Sequence, residues 1–215
     1  MNMEKKNTGK NLLYYFGGLM LMTLGVAISV KSDLGVTPVS SIPYTMTVVT
    51  GMDLGIATIL FSVFMVLLQI IMQRKDFKPY NLLQIPISII FGLFMTASGK
   101  LMNCFPDIPT FTLRFLVMLF STVFVAIGVF LYVSSGLIPL PTEGFLIVAA
   151  EKTGIRFASL KVFFDVAMVL ISLATCLLMV HSLGSVGIGT IVSAVLVGNE
   201  IKLIQAFLSR ILPAR

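Results

Sequence analysis

The chain has 215 residues and a mass of 23.4 kDa; 57% of its residues are apolar, 11% are charged, and its mean hydropathy is +1.03. That composition excludes a soluble globular domain and leaves few charges to solvate an extramembrane catalytic or nucleic-acid-binding unit. The net charge of +6 is therefore read through membrane topology. Two cysteines, Cys104 and Cys176, and a single His181 supply neither a disulfide framework nor a metal-ligand cluster.

In chain order, MNMEKKNTGK precedes an apolar stretch of about 20 residues with no small-x-small cleavage site, so it reads as a retained first helix. Stretches long enough to span a bilayer run over 11–30, 54–73, 80–99, 115–133, 157–180 and 185–207, giving six transmembrane helices. Two further apolar segments, 37–50 and 138–150, open on prolines at 38, 43, 139 and 141. Each makes a helix of about 20 Å, against about 30 Å of hydrocarbon, which predicts two re-entrant half-helices lined by protein or a watery cavity.

Shifting the chain on itself by 103 residues lays 25–69 over 128–172, and 13 of 45 positions coincide, among them Pro38/Pro141, Thr50/Thr153 and Gly51/Gly154. The expected organisation is a cytoplasmic tail 1–10, repeat one 11–102, an external linker 103–113, repeat two 114–209 and a tail 210–215. Three crossings per repeat is an odd number, so the second copy is upside down: two inverted three-helix repeats. With the N-terminus cytoplasmic, ten Lys and Arg lie inside (5, 6, 10, 74, 75, 78, 152, 156, 210 and 215) and three outside (31, 100 and 114). The C-terminus is then cytoplasmic too, in a cell (inner) membrane. Tyr14, Tyr15, Tyr80 and Tyr132 fall at the inner interface as an aromatic belt.

Asp33-Leu34-Gly35-Val36-x-Pro38, Pro141-x-Glu143-Gly144, Thr153-Gly154, Lys161-xxx-Asp165 and Gly187-Ile188-Gly189-Thr190 leading to Val197-Gly198 resemble the YczE/YyaS/YitT family of small bacterial membrane proteins. The resemblance covers nearly the whole chain. One departure stands out: Asn199 follows Gly198, where the family commonly has proline. The family carries no settled substrate, so the resemblance implies a membrane protein without naming a solute.

Asp165 sits about nine residues, or 14 Å, into the fifth span, too short to reach the interface, so it is paired, protonated or faces a cavity. Lys161, one turn earlier, either pairs with it or snorkels; an ion or proton pathway through Asp165 is the functional alternative. Glu143 stands at the start of the second short helix, either capping it or facing a cavity, and Glu200 lies in the inner part of the sixth span. If the two short helices aim their N-termini at one volume, Pro38, Ser40, Ser41, Thr142, Glu143 and Gly144 form a substrate site, and the dipoles suggest an anionic solute. Asp33 reads as a turn former.

No nucleophile–base pair, phosphate loop or ligand cluster is present, so no enzyme, cofactor or metal is expected. The expected function is a secondary transporter or channel-like permease for a small solute. The alternatives are a substrate-capture subunit of a multi-component importer and a non-transporting scaffold or assembly factor. Expected partners are the bilayer and a small-molecule or ion solute, with homo-oligomerisation left open and nucleic acid excluded.

Overall fold

The computed structural model describes the backbone of residues 8–211 and the side chains of residues 9–206. The basic residues expected at 5, 6 and 215 therefore lie outside the described residues, as do most of the two tails. The chain is all-helical among the described residues: α1 (Thr8–Ser32), α2 (Pro38–Thr50), α3 (Leu54–Gln73), α4 (Gln84–Asn103), α5 (Phe111–Ser134), α6 (Pro141–Thr153), α7 (Phe157–Met179) and α8 (Ile188–Ile211). Six helical segments are long and apolar enough to cross a membrane, and α2 and α6, with 13 residues each, are the two short ones.

Local chemistry sets the helix ends. Pro38 and Pro141 occupy the first turn, where a missing N–H costs nothing. The second short helix begins three residues later than the apolar pattern suggests, because residues 138 and 140 each precede a proline and are steered away from helical geometry. It also runs past Ala150 to Thr153. Gly154, at φ 72°, stops it there, as Gly51, at φ 75°, stops α2. The two Thr-Gly pairs close their helices in the same way. Thr50 Oγ1 donates to the Met46 carbonyl at 2.6 Å and accepts from Met52 N–H at 3.3 Å, while Thr153 Oγ1 donates to Ala149 at 2.7 Å and accepts from Ile155 N–H at 3.3 Å. Before α4 the chain passes through a 3-10 turn at Pro79–Leu83, so the regular helix starts at Gln84 rather than at residue 80.

The most extensive helix pair is α1 with α5, followed by α3 with α4. Glycines let α1 and α5 close. A methyl on Gly18 would lie 2.6 Å from Tyr132 N, and one on Gly128 would lie 2.6 Å from Met22 N. The short helices pack crosswise: α2 lies on α7 and α6 lies on α3. Phe61 and Met65 of α3 share one apolar cluster with Met168 and Phe164 of α7, so residues that coincide in the 103-residue register belong to the same cluster. The segment after α1 meets the segment before α8 through Gly189 N–H to Leu34 O (2.8 Å) and Val36 N–H to Ser185 O (3.2 Å). Two of the sequence motifs are thereby in contact. Asp33 sits in left-handed backbone at φ 55° and accepts from Arg114 at 2.8 Å, the geometry of a turn former.

Two of the tyrosines do not join a belt. Tyr15 and Tyr132 are buried against each other, their rings 5.5 Å apart, because both hydroxyls serve the segment between α5 and α6; Tyr14 and Tyr80 are exposed.

The α1–α5 contact yields a stability prediction. Gly18→Val should cost about 2 kcal/mol by overpacking against the α5 backbone, seen as a lower midpoint in detergent-monitored unfolding. Gly9→Val, where an added Cβ meets nothing within 4 Å, should leave the midpoint in place. Equal midpoints for the two variants would contradict the packing described.

Candidate functional site

The segment 135–140 leads into α6 and is held from α1 and α5. Tyr15 Oη donates to Ile138 O at 2.8 Å, and Leu140 N–H donates to Tyr132 Oη at 2.5 Å. On the other side, Ser29 Oγ donates to Gly35 O at 2.8 Å just ahead of α2. With both lead-in segments anchored, the first turns of α2 and α6 line one cavity of about 370 Å³. Thr37, Pro38 and Ser40 come from the start of α2, and Pro141, Thr142 and Glu143 from that of α6. Lys161 and Asp165 of α7 face the same volume, joined by a 2.6 Å hydrogen-bonded ion pair with each side chain about a quarter exposed.

Glu143 is half-buried at the cavity wall, and its Oε2, itself shielded, has no hydrogen-bond partner. A buried carboxyl oxygen without a donor is costly, and Gln73 Oε1, Ser172 Oγ and Glu200 Oε2 are left unpartnered in the same way. Thr37 Oγ1 donates to Ser40 Oγ at 3.2 Å, leaving the Ser40 hydroxyl hydrogen free to turn toward a ligand.

Six of the nine site residues named from sequence line this cavity: Pro38, Ser40, Thr142, Glu143, Lys161 and Asp165. Three do not. Ser41 is fully buried and donates to Pro38 O at 2.7 Å, because its position on α2 turns it away from the cavity. Gly144 faces a second, more polar cavity of about 310 Å³, lined also by Gln73, Asp76, Lys78 and Glu151. Glu200 points at α5, where its Oε1 accepts from Thr122 Oγ1 at 2.9 Å.

Gly144 has a specific packing role. Gln69 and Gln84 are joined by Gln69 Nε2 to Gln84 Oε1 at 2.9 Å, and Gln69 Nε2 also donates to Pro141 O at 3.0 Å. A methyl on Gly144 would lie 2.7 Å from Gln84 Nε2 and 2.9 Å from Gln69 Oε1. The glutamine pair thus rests on bare backbone at the first turn of α6, beside the polar cavity that both glutamines line. Their signal in the sequence was an amide inside or beside an otherwise apolar span. Thr58 and Ser62 also line the central cavity, and the 103-residue register already set them opposite Lys161 and Asp165.

The family match runs over residues 9–206, nearly all of the chain. The chain belongs to DUF6198, a family of unknown function. It is similar to the uncharacterized membrane protein YczE of Bacillus subtilis (strain 168), with 24% identity over 186 residues, covering 86% of this chain and 80% of that protein. No solved structure matches it. The motifs that carry the YczE-like resemblance in this DUF6198 protein meet around the cavity or brace the segments that lead to it: Pro141 and Glu143, Lys161 and Asp165, and Val197 and Gly198 line it.

The side chains do not favour an anionic solute. The ionisable groups on the cavity wall are two carboxylates, Glu143 and Asp165, and one ammonium, Lys161, which is already paired. An added anion would meet Glu143 at the N-terminus that was expected to receive it.

Cysteine accessibility distinguishes the neighbouring serines. In a background with the exposed Cys104 changed to Ser, Ser40→Cys should react with a small methanethiosulfonate reagent and Ser41→Cys should stay unlabelled over the same interval. Labelling at 41 and not at 40 would reverse the assignment of the cavity-facing side of α2.

Proposed function

We propose that this chain is a secondary transporter or channel-like permease for a small solute, not an enzyme, built from two inverted three-span repeats with α2 and α6 as re-entrant half-helices. It sits in the cytoplasmic membrane with both termini cytoplasmic. One observation carries this reading: two short helices, one from each half, present their N-terminal turns to the same cavity, together with an intramembrane ion pair. The crosswise packing of α2 on α7 and α6 on α3 supports it, since each half then covers the short helix of the other. Topology has its own support. Lys152 and Asp76 lie 3.9 Å apart, so the end of α6 and the turn after α3 come together, an arrangement that supports six crossings. The turn after α3 and the end of α6 carry Arg74, Lys75, Lys78, Lys152 and Arg156, which favours a cytoplasmic assignment.

Coupling would reside in the second half. Asp165 and Lys161 face the cavity from α7, whereas the corresponding positions of α3 hold Ser62 and Thr58, which cannot carry charge. A carboxylate at membrane depth, held by one ammonium and open to a cavity, is a group able to pair with a passing cation.

Two measurements check this. Lys75→Cys and Lys152→Cys should be labelled by an impermeant maleimide from the cytoplasmic side; labelling from opposite sides would end the inverted-repeat reading. In reconstituted vesicles on a solid-supported membrane, screened with small amines, carboxylates and monovalent cations, the wild-type chain should move charge. Asp165→Asn should reduce the signal to that of empty vesicles while eluting as folded protein, and Lys161→Ala should shift its pH dependence. Undiminished currents in Asp165→Asn would reduce the pair to a structural brace.

A further inference from the structure

The two halves differ in how their last two helices meet. α3 and α4 pack tightly: Gly55 lies against Gly92, and Thr96 Oγ1 donates to Asp53, which also caps α3 by accepting from Gly55 N–H at 2.9 Å. The corresponding helices α7 and α8 make at most glancing contact. The sequence accounts for the difference. Where the closed pair has Asp53 and Gly55, the open pair has Arg156 and Ala158, and where it has Gly92 and Thr96 the open pair has Ala194 and Gly198. A methyl at either closed-pair glycine would strike the partner helix's backbone, 2.7 Å from Gly55 O in the case of Gly92. Two alanines therefore cannot approach so closely, and Arg156 cannot accept the hydrogen bond that Asp53 accepts.

The gap opens the central cavity sideways. Val162 and Asp165 on one lip and Ala194, Val197 and Gly198 on the other line the cavity, while Val162, Ala194 and Gly198 are also exposed on the outer surface. The surface beside the gap is apolar: Val166, Ile191 and Val195 are all exposed. Anything entering here comes from hydrocarbon rather than water. Inside, Met22, Val26, Phe61, Phe91, Met95 and Val125 make most of the wall, and the Glu143 Oε2 lacks a donor.

Resting on the permease reading of this cavity, we propose that its ligand is an amphipathic amine, an ammonium head on a single apolar chain, which enters from the bilayer between α7 and α8 and donates to Glu143. The head supplies the missing donor. Lys161 donates to Asp165 at 2.6 Å and makes no hydrogen bond to Glu143. The chain fills the apolar wall and trails through the gap into lipid. An amphipathic anion would place its charge against Glu143, and a small hydrated cation would leave the apolar wall unused.

The test is equilibrium and kinetic binding of tritiated dodecylamine to the full chain in nanodiscs of phosphatidylethanolamine and phosphatidylglycerol, with empty discs as background. Saturable binding at one site per chain is expected, weakened about tenfold or more in Glu143→Gln, since a hydrogen bond to a charged group is lost. Gly198→Trp places an indole in the gap, where an added Cβ meets nothing within 4 Å, so it should slow dodecylamine association about tenfold and slow association of propylamine, which enters from water, far less. Unaltered affinity in Glu143→Gln, or unaltered association in Gly198→Trp, overturns the proposal. So does efficient disulfide formation between two copies of Gly198→Cys, which would put a second chain across the gap. Because binding needs no gradient, intact binding without any transport counts against the permease reading alone, and transport of small solutes without saturable dodecylamine binding counts against the ligand proposal alone.

Discussion

Backbone polar groups excluded from water have to find partners inside the protein, and the rest of this structure depends on how two buried non-helical segments meet that demand. Residues 33–37 and 135–140 each carry the chain from a long helix into a short one. Around the first, Ser29, Ser185 and Gly189 supply the partners for Gly35, Val36 and Leu34. Around the second, Tyr15 and Tyr132 bond Ile138 and Leu140. These contacts aim α2 and α6. Without them the two first turns would have no fixed direction, and the cavity between them would have no defined floor.

The halves use the same devices with different side chains. Both short helices begin on proline and end on a Thr-Gly cap with matching hydrogen bonds, so their lengths agree. The cavity-facing positions differ in chemistry: Thr58 and Ser62 from α3, Lys161 and Asp165 from α7. The outer ends differ in packing, because the Asp53, Gly55, Gly92 and Thr96 clasp that joins α3 to α4 has no counterpart in α7 and α8. The charged pair and the loosely packed helix pair thus fall in the same half of the molecule.

Polar residues inside the bundle divide by whether a neighbouring backbone satisfies them. Ser41, Ser88 and Ser121 donate to a carbonyl three or four residues back and drop out of any solute chemistry. Gln69 and Gln84 satisfy each other and Pro141. Glu143 Oε2 is satisfied by neither kind of partner, a condition it shares with Gln73 Oε1, Ser172 Oγ and Glu200 Oε2.

By itself the sequence determined the helical class, the six long helices to within a few residues and the existence of two short ones, because run length, proline and glycine act locally. It also brought Pro38, Ser40, Thr142, Glu143, Lys161 and Asp165 into consideration, since a carboxylate or a proline inside an apolar chain is conspicuous wherever it lies. Tertiary structure alone decided which side chains face the cavity. Ser40 and Ser41 are adjacent and chemically identical, and only the rotation of α2 against α7 sends one into the cavity and seals the other. It also decided that Tyr15 and Tyr132 are core residues, that Glu200 turns to Thr122, and that α7 and α8 stand apart. Each of these depends on pairs of residues far apart in the chain, and a pattern read along one helix does not contain the helix it will meet.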